Sequence, residues 1–305
     1  MKKTSFVLIT FIMMILISPI FIFIAQIPRN DPKSPESYPS QTQLENAATY
    51  LISMYNPTIG LIANSEDTGL NPTNNSVPHT NTYWVYSDNL WSGYALQSFN
   101  REIAENITDN VQQFIVEYGW PLLFEVAIGV QIPTPIHNGK DIVVYDDFVN
   151  GTRIQVLLDR HQPQDNPNIF DDVDEYADLC FYMAINFWLK GDMTKSEQWF
   201  RSGEGLWNST TNKGFYDKAT RKIGRYQNYK LGLFLFTQRA TGFESNIAEY
   251  VEATAWSYQK NDSGGITTQS GLNGSFNGTA NAEATSALLL AYNYELIHSF
   301  HSTTG

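Results

Sequence analysis

Residues 179–189 read LCFYMAINFWL, a run without a single charge. It is longer than an ordinary strand, and apolar side chains would cover every face of the helix it forms. Such a helix has to be buried on all sides. Residues 231–236 (LGLFLF) and 286–292 (SALLLAY) repeat the pattern. Between them, 193–207 (MTKSEQWFRSGEGLW) and 245–259 (SNIAEYVEATAWSYQ) carry their charge on one side only. Fully buried helices alternating with half-exposed ones predict a double ring of helical hairpins, whereas a simple bundle would make every helix amphipathic. Helices are expected over 41–55, 88–100, 102–118, 172–190, 193–207, 226–240, 245–259 and 280–298. The fold class is therefore mainly α, an α/α toroid of about four to six hairpins.

Residues 122–160 depart from helical periodicity. LFEVAIGVQIP and DIVVYDDFVNGTRIQVLL are rich in Val and Ile, and Asn150-Gly151 is a two-residue hairpin signal. A small β insertion is expected there. The turn-rich segments 56–82 and 260–279 are expected to be long loops.

The chain opens with Lys2 and Lys3, followed by an apolar stretch from Ser5 to Ile27 with no charge before Arg29. At about 1.5 Å per residue that stretch spans a hydrocarbon core of roughly 30 Å. It predicts an N-terminal transmembrane signal anchor at 1–27, with the positive-inside rule placing the rest outside the cell membrane. A cleaved signal peptide, and hence a secreted protein, is the other reading. Pro28 to Ser40 holds four prolines and reads as an extended linker, leaving 41–300 as one extracellular domain. Seven N-x-Ser/Thr sequons fit an exported chain: Asn74, Asn106, Asn150, Asn208, Asn261, Asn273 and Asn277. Plain polar loop composition would produce some of them.

Cys180 is the only cysteine, so no intrachain disulfide exists, and its apolar neighbours mark it as a small buried hydrophobe. The net charge of −12, without a basic patch, excludes nucleic acid as a partner. His79, His137 and His161 lack metal-ligand spacing and read as loop residues, with His298 and His301 near the end. No nucleophile elbow and no phosphate-cradling glycine loop follows a strand, and no cofactor is called for.

Three stretches carry a family likeness. They are Tyr83-Trp84-Val85-Tyr86-Ser87-Asp88-Asn89, Asp174-Glu175-Tyr176-Ala177-Asp178, and Gly264-Gly265-Ile266 with Gly278-Thr279-Ala280-Asn281-Ala282-Glu283-Ala284-Thr285. Over roughly residues 41–300 the chain resembles the six-hairpin glycosidase-like α/α toroids, in an exported archaeal-type form. The last stretch is also similar to toroid repeats of terpenoid cyclases and prenyltransferases. The resemblance implies a substrate site at the end where the inner helices begin.

Those beginnings would bring Asp88, Glu175, Asp178 and Glu283 to one mouth as candidate catalytic acids, with Tyr83, Trp84, Tyr226 and Tyr229 as substrate-binding aromatics. Glycoside hydrolysis needs one carboxylic acid and one carboxylate, and sugar faces stack on aromatic rings. Ordinary roles compete. Asp88 would equally cap a helix. Asp171, Asp174, Glu175 and Asp178 share one face of the expected 172–190 helix; they read as dipole-complementing acids, as a raised-pKa general acid, or as ligands of a hard cation. Glu283 has no capping excuse, since Ala280 cannot cap. Two functions stay open: a membrane-tethered glycoside hydrolase using paired carboxylates, and a non-catalytic cell-surface glycan-binding or scaffold protein. Cyclase or prenyltransferase chemistry is disfavoured, because an exported protein lacks the usual diphosphate substrates.

Overall fold

Polar side chains decide where several of the helices start. The computed structural model describes residues 39–71 and 76–302. Its helices are α1 (Gln41–Ser53), α2 (Trp91–Ala95), α3 (Arg101–Tyr118), α4 (Ala177–Leu189), α5 (Met193–Glu204), α6 (Lys218–Ile223), α7 (Tyr229–Thr241), α8 (Ala248–Ser257), α9 (Ala282–Leu290) and α10 (Tyr294–Ser302). Ser40 and Gln43 form a capping box on α1. The side chains of Asn100, Asp192, Asp217 and Asn281 each accept a backbone N–H at the N-terminus of α3, α5, α6 and α9. A π-helical turn, Val85–Leu90, leads into α2.

The strands are β1 (Tyr55–Asn56), β2 (Leu61–Ile62), β3 (Thr82–Trp84), β4 (Lys140–Val149), β5 (Thr152–Arg160), β6 (Arg225–Gln227), β7 (Thr267–Gly271) and β8 (Phe276–Ala280). They make three small sheets, ordered β1-β2, β3-β5-β4 and β6-β7-β8. The β4–β5 hairpin turns at Asn150 (φ 51°) and Gly151 (φ 81°), the left-handed pair a tight hairpin requires.

This architecture corrects the expected fold class. About 48% of the structure is helical and 18% is strand, so the fold is a mixed helix-and-sheet one and not a mainly α toroid with a single insertion. Segments read as loops pair instead. β1, β2 and β3 fall in 56–82 or at its edge, and β7 and β8 fall in 260–279. The 140–160 hairpin is no isolated insertion either, because β5 also pairs in parallel with β3, Tyr83 opposite Val156. The expected membrane helix at 1–27 and the linker, up to residue 38, lie outside the described residues. Among those described, no helix is long and apolar enough to cross a membrane. The helix read at 280–298 is two helices, broken between Leu290 and Tyr294, and α6 was not foreseen.

The helices α2, α4, α7 and α9 run in the same direction. At their starts, the Tyr229 hydroxyl donates to Asp178, and Ala282 N–H reaches Asn64, whose side chain donates to Asp88. At their ends, Arg239 donates to Ala291 C=O (2.8 Å), Asn293 donates to Tyr94 C=O (2.8 Å), and Trp188 packs edge-on against Phe243. α4 and α7 are joined by aromatic rings: Phe181 touches Phe215 and Phe234 at 5.3 and 5.5 Å, and Phe200 from α5 stacks on Phe234 at 5.5 Å. Such pairs add about 0.5–1.5 kcal/mol each beyond their buried area.

α7 crosses α9 closely at Gly232. A Cβ on Gly232 would sit 2.4 Å from Leu288 N and 2.5 Å from Ala287 C, both backbone atoms that cannot swing away. Gly232→Ala is therefore expected to destabilise by about 3 kcal/mol, lowering the melting temperature by roughly 6–10 °C. A thermal melt within 2 °C of the parent would contradict so close a crossing.

Candidate functional site

The common direction of the four buried helices gathers their first turns. Asp88 lies in the π turn before α2, Asp178 in the first turn of α4, Tyr229 and Lys230 open α7, and Glu283 opens α9. π turns inside helices often mark functional positions. The parallel pairing of β3 with β5 adds a fourth carboxylate: with Trp84 opposite Leu157, the chains continue to Ser87 and Asp159, and Ser87 N–H donates to Asp159 Oδ1 (3.3 Å). The Ser87 hydroxyl donates to Asp88 Oδ1 (3.3 Å), so one serine ties two acids together. Asn64 donates to Asp88 Oδ2 (2.9 Å).

Burial dominates the electrostatics. It pushes Asp88 up to about 7 against the hydrogen bonds of Asn64 and Ser87. Asp159 is pushed up to about 8 by burial, with the charge of Asp88 adding to it. Glu283 is raised well above the usual carboxylate range by burial, then by Asp88, Asp159 and Asp178, while Lys230 opposes. Tyr182 and Tyr229 stand in the same field; burial, Asp178 and Glu283 raise both phenols. Converging helix N-termini favour negative charge by about 0.3–1 kcal/mol each, too little to offset desolvation of this size.

Among the described residues, Lys230 is the one strong cation in the group. It is 1% exposed, lies 3.3 Å from Asp178 Oδ1, and hydrogen-bonds Asp217, which is itself fully buried. Burial lowers the affinity of Lys230 for its proton, but Asp178 and Asp217 outweigh that and raise it overall. Asp217 also accepts Thr220 N–H (2.9 Å) and Ala177 N–H (3.2 Å), so it joins the starts of α6 and α4 to Lys230. Asp178 Oδ2 takes the Tyr229 hydroxyl; Oδ1, off the hydrogen-bonding line of Lys230, has no donor among the described residues. His161 lies in the field of Asp178, its ring nitrogen at 2.8 Å from His137 C=O, and burial lowers its pKa.

Of the candidate acids, Asp88, Asp178 and Glu283 are brought together and Glu175 is not. The helix read from 172 begins at Ala177, and Val173–Glu175 is a separate 3-10 turn, so Asp171, Asp174, Glu175 and Asp178 share no helical face. Glu175 pairs on the surface with Arg221 (2.8 Å) and Lys218 (3.8 Å), and Asp172 also pairs with Lys218. Asp88 is no helix cap, since Leu90 precedes α2. Asn281, not Ala280, caps α9.

Among the aromatics, Tyr229 belongs to the site and Trp84 lies half-buried just before the π turn. Tyr83 and Tyr226 are core residues. The Tyr83 hydroxyl accepts from Asn56 (2.8 Å), and Tyr226 bonds Asn208 (2.8 Å) and Thr211 (3.1 Å) while covering Gly214. Cys180 is buried, its thiol pushed up to about 12 chiefly by burial. No group of three or more His, Cys, Asp or Glu among the described residues is arranged to hold a metal ion.

Among the sequons, Asn106, Asn150, Asn261 and Asn273 are exposed. Asn208 is committed to Tyr226 and to the turn at Thr210 (3.2 Å). Asn74 lies outside the described residues.

The raised acids make stability depend on pH in a defined direction. Below pH 4 folded and unfolded chains both hold these protons. Between about pH 4 and 8 the unfolded chain releases them while the folded chain keeps them, so stability falls as pH rises. Asp159→Asn is expected to match the parent at pH 4 and exceed it at pH 8 by about 3 kcal/mol. Melts at the two pH values check this; equal stability at pH 8 would contradict a raised Asp159.

Comparison with known proteins finds no match to any family model, to any curated protein or to any solved structure.

Proposed function

We propose that this protein acts on carbohydrate by acid-assisted hydrolysis of a glycosidic bond. The observation that carries the reading is the meeting of Glu283 and Asp178, in unlike environments, at the first turns of buried helices. Glu283 lies in the field of three carboxylates, and burial, ahead of those charges, raises its carboxyl well above the usual carboxylate range and favours the protonated form. Asp178 faces an ammonium and a phenol. A glycosidase needs such a division: one carboxylic acid protonates the departing oxygen, and one carboxylate activates water or attacks the anomeric carbon. The charges of Asp88 and Asp159, where these are ionised, add to burial in favouring the Glu283 proton, and the half-buried Tyr229 offers a ring to a sugar.

The reading also takes the protein as exported and membrane-tethered, supported by the apolar segment before Arg29 and by the exposed sequons at Asn106, Asn150, Asn261 and Asn273. It is tested by incubating the protein with a panel of oligosaccharides and following new reducing ends. Product that disappears in Glu283→Gln is expected. The second reading, glycan binding without turnover, is favoured by the commitment of Asp178 to Tyr229 and Lys230. It predicts binding on the same panel with no product from any member.

A further inference from the structure

A recess of about 380 Å³, within the range of small-ligand pockets, is connected to these acids through two residues of its wall. Its wall includes Asn64, whose amide donates to Asp88, and Asn281, which caps the helix carrying Glu283. Ser65, Thr268, Gln269 and Thr279 add amides and hydroxyls suited to sugar hydroxyl groups, and His79 and Gly278 also line the recess. Its one described carboxylate, Asp67, is turned onto Gly69 N–H (2.9 Å).

The informative residue is Arg225, at the start of β6 on the same wall. The chain has 31 acidic residues against 19 Lys and Arg, so a cation finds a carboxylate easily. Arg101, Arg153, Arg160, Arg201, Arg221 and Arg239 all do. Arg225 alone among the described arginines forms no ion pair. Its guanidinium makes one long contact, 3.5 Å to Gln269 Oε1, and the residue across the strand pair is Gly271, which has no side chain to cover it.

We infer that this recess takes an anionic saccharide, with Arg225 receiving the carboxylate or sulfate group of the sugar. The inference rests on the carbohydrate reading above and names its substrate class. A guanidinium fork matches both anions in a bidentate fashion. Behind Asn64, burial pushes the Asp88 carboxyl up to about 7, which favours its neutral form at pH 6 and lessens its repulsion of an anion.

The test is calorimetric binding, at pH 6, of a galacturonate tetramer, a sulfated galactose tetramer and a neutral galactose tetramer to the parent, Glu283→Gln and Arg225→Gln. At least one charged tetramer is expected to bind about tenfold tighter than the neutral one, and to lose that margin in Arg225→Gln. Which of the two does so separates uronate from sulfate. Added salt should erode the same margin. Equal binding of all three, a margin that survives Arg225→Gln, or binding of none overturns the inference. Failure of hydrolysis reads differently: no product from any glycan, with Arg225-dependent binding of a charged tetramer, ends the enzyme and leaves this assignment standing.

Discussion

Glu283→Gln is expected to lower glycan turnover roughly 10³-fold, the usual contribution of a general acid. The exchange keeps the shape of the side chain and removes the acidic proton. It also removes a desolvated group that costs stability when ionised, so the melting temperature at neutral pH should hold or rise. Two further readouts separate loss of the acid from general damage. A substrate with a nitrophenol leaving group needs little protonation and should lose far less than a natural glycan. The fall in parent activity as rising pH takes the proton from Glu283 should be absent from the variant. Equal losses on both substrates would remove Glu283 from the acid role.

Lys230→Met carries the largest expected effect on stability. Methionine fits the volume but leaves Asp217, fully buried, and Asp178 without their cation. Removing one partner of a buried ion pair costs about 3–5 kcal/mol. The raised pKa of Lys230 in the folded state means its own contribution is complete at neutral pH and is lost only as pH climbs through that value. The double substitution Lys230→Met with Asp217→Asn should recover part of the loss. Urea unfolding at pH 7.5 checks both statements; a deficit below about 1 kcal/mol would mean that Lys230 does not hold the two acids together.

The buried helices were legible because 179–189 and 231–236 have no polar face, and their beginnings pointed to Asp88, Asp178 and Glu283. Glu175 was misplaced because periodicity carried the helix back to 172, five residues too far, while the chain makes a 3-10 turn before Ala177. The small sheets were hidden for a different reason. Strands such as Thr267–Gly271 are short and polar, and they pair with Arg225–Gln227, some forty residues away, so no local alternation announces them. Asp159 was missed for the same cause, since only the long-range pairing of β3 with β5 sets it beside Ser87. Lys230 left a readable signal that went unused. A lysine opening the helix of LGLFLF cannot stay unpaired in a buried first turn, so an acid had to be near.

Four acids from distant parts of the chain, Asp88, Asp159, Asp178 and Glu283, lie within one another's electrostatic field. Carbon-13 detection of the Glu283 carboxyl across a pH titration reads this most directly, in the parent and in Asp159→Asn. A midpoint well above 4.5 that moves down when Asp159 is neutralised is the expected result. A Glu283 that titrates near 4.5 in both proteins would contradict the shared site.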